Sequence, residues 1–500
     1  MTSLDPQALP TRKNPAPAPL PGPLYEKRKA VYPRQIDGKF RRIKWVVMAV
    51  CLAVYYATPW LRWNRGPYAP DQAVLIDMAN RRFYMFGIEI WPQEFYFVAG
   101  LLIMAGIGLF LLTSVVGRAW CGYSCPQTVW TDLFQHVDRL IDGDRNAQGR
   151  LAAAPWGPAK IARRTLKWSV YLAISFITGG AWIFYFADAP ALQHQFWSGH
   201  AAPVAYITVA VLTLTTFVLG GFAREQVCIY MCPWPRIQSA MLDEKSLLVT
   251  YKDWRGEKRG SVKAAEKNPG VIGDCIDCGL CTAVCPTGID IREGSQIGCI
   301  TCALCIDACD RVMVQLGRPR GLIDYATLED SAREREGAPP TPHHKLIWHP
   351  RTLVYFGLWS AIGLGMLFLL GTRQHLALSV AKDRNPPYML MSSGAVRNAW
   401  TVKLRNMEDR PRRVRLAIEG VLGAAMWSDE AARVASARNL DLTVPADATR
   451  PVRIYVVAPA STRPQPMAFT LDALDPEHGK ARYETRFDAP ETSGTPHEDE

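Results

Sequence analysis

The chain has 500 residues, a formal charge of +11 and 13 cysteines, with room for roughly three or four structural units. A basic balance of this size fits nucleic acid, a membrane surface or the basic loops of a membrane protein; the Lys and Arg here flank apolar runs, which sets nucleic acid aside. The cysteines are gathered in a few places and none follows Cys309, so ligation, not a secreted disulfide framework, is the reading.

Residues 1–24 are Pro-rich and read as disordered, and the segment up to 43 turns basic. Five stretches approach the ~20 apolar residues that cross a bilayer: 44–61, 95–116, 168–186, 204–222 and 352–371. Trp and Tyr cluster near their ends, as in an interfacial belt. The polar leader is too long for a signal peptide, so the first span is expected to be an uncleaved anchor. Lys and Arg are dense before the first span, sparse in the loop after it, dense over 117–167, missing from 187–203 and dense again over 223–351. The positive-inside rule then puts the N-terminus and the long loop in the cytoplasm and everything after the last span outside. No His lies in any span, and neither C-x-x-C-H nor G-x-G-x-x-G occurs. Haem held between two span histidines, covalent haem and a built-in nicotinamide site are therefore not expected.

The second span ends in "WCGYSCPQTVW" and the fourth in "VCIYMCPWPRI", each a C-x3-C-P. Residues four apart share a helical face, so Cys121 and Cys125, and Cys228 and Cys232, are expected to point together, with Pro126 and Pro233 kinking or ending each helix just beyond them. Packing of the second span on the fourth would let four sulfurs converge. An amphipathic stretch succeeds each motif, which makes a weak internal repeat. Plain burial and a disulfide suit two matched pairs on the reducing side poorly. A soft-metal site or redox relay is favoured, with Cu(I), zinc and a further cluster all admitted by thiolate chemistry. A one-electron couple such as Cu(II)/Cu(I) suits the company of the cysteine-rich segment between Cys275 and Cys309.

That segment holds "CIDCGLCTAVCP" from Cys275 and "CITCALCIDACD" from Cys299, both C-x2-C-x2-C-x3-C, with Asp310 in place of the second proline. The spacing is that of two-cluster ferredoxins, whose fourth cysteine serves the other cluster. One 4Fe–4S cluster is then expected on Cys275, Cys278, Cys281 and Cys309, the other on Cys299, Cys302, Cys305 and Cys285. Zinc would use separated C-x2-C pairs. Other candidates have blander readings: His343, His344 and His349 as a polar boundary loop, His194 and His200 as exposed, Met231 as a packing or lipid-facing residue, Cys51 as a small buried one. After the last span, alternating segments such as "RRVRLAIEG" and "RPVRIYVVAP" read as strands of an all-β sandwich for partner binding. The units are 1–43, a membrane domain 44–256, a ferredoxin-like domain 257–330, a linker and span 331–371, a β-sandwich 372–490 and a frayed tail 491–500.

With "YPRQIDGKFRR", "NRRFYMFGIEIWPQEFY", "EQVCIYMCPWPRIQSAMLDEKS", "CPTGIDIREG" and "PRGLIDY" beside these motifs, the chain resembles the CcoG family, also called FixG or RdxA. The resemblance implies a multi-pass protein of the bacterial inner membrane with a cytoplasmic ferredoxin-like domain and a periplasmic immunoglobulin-like sandwich. It implies a cupric reductase that supplies Cu(I) for assembly of cbb-type haem–copper oxidases, with Cys121, Cys125, Cys228 and Cys232 as the copper site. The implied partners are the bilayer, copper ions, oxidase assembly factors or a copper chaperone or transporter, and an electron donor that the sequence does not name; a homodimer stays open. Two alternatives stand beside it: a quinol-linked relay of the NapH type, and a non-catalytic copper chaperone or scaffold.

Overall fold

The computed structural model describes residues 30–267, 270–339, 349–429, 437–460, 462–476 and 479–490. The Pro-rich leader, His343, His344 and the tail from 491 lie outside them. Five helices are long and apolar enough to cross a membrane: Lys39–Trp60, Pro92–Val116, Pro158–Ile183, Pro203–Ala223 and Pro350–Thr372. Large apolar side chains along them, such as Leu102, Val204 and Phe368, face outward, as lipid-facing residues must. The second span packs on the fifth and the third on the fourth. Packing of the second span on the fourth, the arrangement that would let the four sulfurs converge, is therefore not the main contact.

The third helix starts at Pro158, well before the expected 168, because its polar first turns are satisfied by protein. Lys160 Nζ donates to the Ala152 carbonyl at 3.0 Å, and Lys167 Nζ pairs with Asp142 at 2.5 Å. Asp142 closes the amphipathic helix Pro126–Asp142, which comes after the first thiol motif and lies under the spans. That helix carries two further buried carboxylates. Asp132 takes Arg41 at 2.8 Å and Lys44 at 3.7 Å from the first span. Asp138 takes Arg224 at 2.8 Å and Lys167 at 3.5 Å. Burial works against their charge, but the facing cations outweigh it and hold both below the usual carboxylate range. The basic residues that flank the spans are thus partly spent inside the protein.

The ferredoxin-like unit is tied to the membrane domain at the start of the first span. Asp307, on the helix Leu304–Gln315, accepts from the backbone N–H of Phe40 at 3.2 Å and of Arg41 at 2.8 Å. It caps the helix Lys39–Ala57 from another unit. Gly38 makes room, since a Cβ there would sit 2.2 Å from Asp307 Cγ. Asp307→Ala is expected to cost about 1 kcal/mol, the worth of a side-chain cap, and to speed amide exchange at residues 40 and 41; Asp307→Asn should restore most of the protection. The strand Leu248–Tyr251 pairs with Ile323–Ala326, so this unit gathers chain from ahead of residue 257.

Between the first two spans the chain folds a small antiparallel sheet, Val74–Asp77, Arg82–Met85 and Ile88–Ile90. Its strands are too short for their alternation to show in the sequence. The sheet is the seat of the C-terminal domain. Arg82 pairs with Glu89 at 3.0 Å and with Asp447 of the sandwich at 2.5 Å, and its guanidinium lies 3.7 Å over the Trp91 ring. Burial, then the neighbouring Asp447, pushes the Glu89 carboxyl up to about 7. The domain itself is two antiparallel sheets. One runs Ala425–Ser428, Ala448–Ala458, Val396–Asn406, Leu376–Lys382; the other runs Asn439–Val444, Arg412–Glu419, Gln465–Ala473, Lys480–Phe487. Strict alternation, as in Arg412–Glu419, sends one face of each sheet inward around Trp400, Phe469 and Phe487.

Candidate functional site

The two cysteine-rich loops repeat one backbone shape. Asp277 and Gly279 in the first, and Thr301 and Ala303 in the second, have positive φ. Left-handed residues in such a loop turn nearby N–H groups inward, as the Thr301 N–H on Cys299 Sγ at 3.4 Å does, a concavity suited to an anionic cluster. Gly279 and Ala303 then start the helices Leu280–Val284 and Leu304–Gln315. The loops differ at their ends. Pro126, Pro233 and Pro286 each force the preceding cysteine out of the helical region, and Cys285 has ψ 122° and closes its helix. Asp310 imposes no such limit, so Cys309 stays within a helix that runs on to Gln315.

This difference carries Cys309 across to the first loop. One hollow is lined by Cys275, Cys278, Cys281 and Cys309. A second is lined by Cys285, Cys299, Cys302 and Cys305, with Cys281 on the wall between them. Burial pushes the thiols up: Cys302 and Cys309 reach about 12, and Cys305 goes well above the usual range. Buried thiols held as acids need a cation in place of the proton to act as thiolates. The donor set, four sulfurs around each hollow, fits a 4Fe–4S cluster in each.

The membrane-edge thiols are not on one helical face. Cys121 lies in the short helix Ala119–Tyr123, but Cys125 is extended with ψ 130°. Cys228 lies in a π-helical turn, Val227–Met231, and Cys232 is extended with ψ 124°. In both motifs the second cysteine's N–H reaches back five residues, Cys125 to Trp120 O at 2.9 Å and Cys232 to Val227 O at 2.8 Å. The expected i, i+4 alignment is corrected to a wider turn. The cause is the proline, which bars αR at the residue before it. The repeat is thus conformational as well as sequential.

All four thiols are near neighbours. Burial first, and then the other thiols, pushes Cys121 up to about 12 and Cys228 up to about 11. The convergence comes from the turns beyond the second and fourth spans and from the helix Trp234–Met241, which packs on the second span. Among the described residues, no three His, Cys, Asp or Glu side chains close around a single ion. Cys121 is fixed from two sides: Sγ donates to Gln238 Oε1 at 3.1 Å, and its carbonyl accepts from Thr128 Oγ1 at 2.5 Å. Gln238 is held in turn by a donation to Thr113 Oγ1 at 3.1 Å.

The first motif touches the second cysteine-rich loop directly. Gly122 lies against the backbone there; a Cβ on it would come 2.6 Å from Ile300 O and 3.0 Å from Cys302 Cα. Tyr123 OH donates to Cys302 O at 3.1 Å. Cys121 and Cys302 share one buried apolar cluster with Ile36, Val284 and Ile300. Arg118, almost fully buried, eases the charge on Cys121, Cys228 and Cys299 alike. Its Nη1 donates to Ile297 O at 2.6 Å. Sequence reading missed Gly122, Arg118, Tyr123 and Gln238. The glycine inside "CGYSC" was the one available signal, since a glycine beside a ligand often marks close backbone approach.

The remaining candidates sit apart. His349 precedes the fifth span helix, His200 Nδ1 meets Ser198 Oγ at 3.1 Å, His194 lies on the helix Ala189–Trp197, Met231 is exposed and Cys51 is half-buried in the first span.

Comparison with known proteins agrees with this architecture. Residues 223–328 match a family described as a 4Fe-4S dicluster domain, residues 97–143 a 4Fe-4S binding domain, and residues 366–490 the IG-like fold at the C-terminus of FixG. The chain is 53% identical to nitrogen fixation protein FixG of Rhizobium meliloti, over 95% of each chain. The chain belongs to the FixG/RdxA family. Protein RdxA of Cereibacter sphaeroides is 54% identical over 91% of this chain and 96% of its own, and protein RdxB of the same organism 52% identical over 88% and 91%. Among solved structures, a FixG-related protein from Vibrio parahaemolyticus matches 23% of this chain and 96% of its own at 18% identity, with a TM-score of 0.20. As a family member the chain is a multi-pass iron–sulfur protein of oxidoreductase type, with an immunoglobulin-like C-terminal domain.

Proposed function

We propose that the protein is a cupric reductase: electrons pass singly through two 4Fe–4S clusters to Cu(II) at Cys121, Cys125, Cys228 and Cys232. The Cu(I) formed serves assembly of a cbb-type cytochrome oxidase. Each cluster supplies a one-electron carrier, one on Cys275, Cys278, Cys281 and Cys309, the other on Cys285, Cys299, Cys302 and Cys305. Copper is the substrate. The observation that carries the reading is the contact of Gly122 with the Cys302 backbone. It supports a short path between the thiol motif and a cysteine-rich loop, with Cys121 and Cys302 in one buried apolar cluster.

Soft thiolates stabilise the Cu(I) product over Cu(II). The Arg118 guanidinium favours the thiolate forms of Cys121, Cys228 and Cys299. By charge distribution, the thiols and clusters face the cytoplasm and the sandwich faces the periplasm. The test is an anaerobic titration of the reduced protein with Cu(II). The expected result is one Cu(I) per electron lost by the clusters. Stoichiometric copper binding with the clusters still reduced would leave a copper chaperone instead.

A further inference from the structure

Of the eight cysteines around the two hollows, Cys278 alone is exposed; the other seven are buried or half-buried. Cys278 lines the first hollow, which shares Cys281 with the second. The loop of the second hollow is the one that meets Gly122. From surface to thiols the order is therefore Cys278, first hollow, Cys281, second hollow, Cys302, Gly122. Electrons that leave at the thiols have their natural entry at Cys278, where only a ligand sulfur separates a cluster from a docked carrier.

The surface around Cys278 is basic. The Lys258 carbonyl accepts from the Gly273 N–H at 2.9 Å, and the Gly260 N–H donates to Cys275 O at 3.2 Å, which lays residues 258–260 beside Cys275. Arg318 Nη1 donates to Asp274 O at 2.6 Å. Arg311 follows Cys309 by two residues on the helix Leu304–Gln315. Lys258, Arg311 and Arg320 are exposed. The acids nearby are engaged elsewhere: Asp274 with Arg255 at 2.5 Å, Glu257 with Arg259 at 2.8 Å and Asp277 with Arg292 at 2.5 Å. Half-buried Asp310 accepts from the Gly321 N–H at 2.9 Å. Exposed Glu266 stands against Lys263 and Lys267 on its own helix, Val262–Lys267. Val271 and Val314 are exposed on the same segments. Apolar contacts with a charged rim suit a small, transient protein interface.

We propose that this face docks a small acidic protein that carries one electron at a time, and that this protein is the electron donor. Its carboxylates meet Lys258, Arg311, Arg318 and Arg320, and its redox centre lies against Cys278. The inference rests on the reading that Cys275, Cys278, Cys281 and Cys309 hold a cluster, and it adds the donor to the copper reading. In each transfer the donor's centre is oxidised by one electron and that cluster is reduced by one; no bond breaks and no proton moves. Each electron then accounts for one Cu(II) reduced to Cu(I). Opposite charges speed such an encounter, and salt screens them.

The test uses the full-length protein in detergent with oxidised clusters, and the hydroquinone of a bacterial flavodoxin, an acidic one-electron protein, as donor. Stopped-flow absorbance follows the flavodoxin semiquinone as it forms, at low and at high salt. The wild-type rate is expected to fall at least about tenfold from low to high salt. Lys258→Glu/Arg311→Glu should be at least about tenfold slower than wild type at low salt, with the difference lost at high salt. Reduced methyl viologen, a small cation, should reduce the clusters of this variant at least as fast as those of wild type, which a damaged fold would not allow. A wild-type rate indifferent to salt, or a variant as fast as wild type at low salt, would overturn the proposal. Wild-type protein without cluster absorbance would overturn the reading beneath it as well, whereas intact clusters that methyl viologen reduces and flavodoxin does not overturn this inference alone.

Discussion

Cys125→Ser/Cys232→Ser keeps the visible iron–sulfur absorbance and loses Cu(II) reduction. The two replaced thiols are the extended members of their motifs, fixed by Pro126 and Pro233, and neither lines the cluster hollows. Serine preserves the backbone and the volume but offers a hard hydroxyl that does not hold Cu(I). The loss in rate should exceed the roughly 10- to 100-fold that removal of an outer-shell partner costs a metal site. Unchanged reduction by this variant would sink the thiol assignment. Burial pushes Cys121 up to about 12 and Cys228 up to about 11, so Cu(I) must displace protons from thiols that are acids at neutral pH. Cu(I) affinity is therefore expected to rise with pH through the neutral range and beyond, with proton release on binding. A competition assay with a Cu(I) chelator at several pH values measures it.

The second large effect is at Gly122. Valine there drives a branched side chain into Ile300 O and the Cys302 backbone, where even a single Cβ comes to 2.6 Å and 3.0 Å. Both obstacles are backbone, so the loop has to move instead of a side chain turning aside. The cluster loop and the thiol motif part, and electron delivery to copper is expected to fall roughly 10²-fold, as misplacement by about an ångström does elsewhere. Reduction of the clusters by dithionite should proceed as before, since the eight cysteines are untouched. Stopped-flow oxidation of pre-reduced clusters by Cu(II) separates the two steps. Wild-type rates in Gly122→Val would mean that electrons do not cross at this contact.

Both effects depend on short-range detail that a sequence states only in part. The eight-cysteine spacing is legible because successive cysteines with only two residues between them have few other uses, and local backbone rules alone then shape the loops. Pro286 ends one helix and Asp310 permits the other to continue, which is why Cys309 can cross to the first hollow. The five spans are legible because the bilayer demands a long apolar run from each segment by itself. The alternating strands of the sandwich show for the same local reason. The helical alignment of Cys121 with Cys125 was wrong on a local rule applied too lightly, the restriction a proline places on its predecessor.

What the residues alone determined is therefore the inventory: five spans, two ferredoxin-type loops, two matched thiol turns and a β-sandwich, each specified by periodicity, spacing or proline and glycine chemistry within a few residues. What the tertiary structure decided is their adjacency. Asp307 caps a helix more than 260 residues earlier in the chain, Gly122 rests on Cys302, Arg118 lies near Cys121, Cys228 and Cys299 alike, and the small sheet after the first span seats a domain that begins beyond the fifth. Contacts of that kind join residues with no shared period and no fixed spacing, so only the packed chain, with its buried charges paired and its backbones in contact, brings them together.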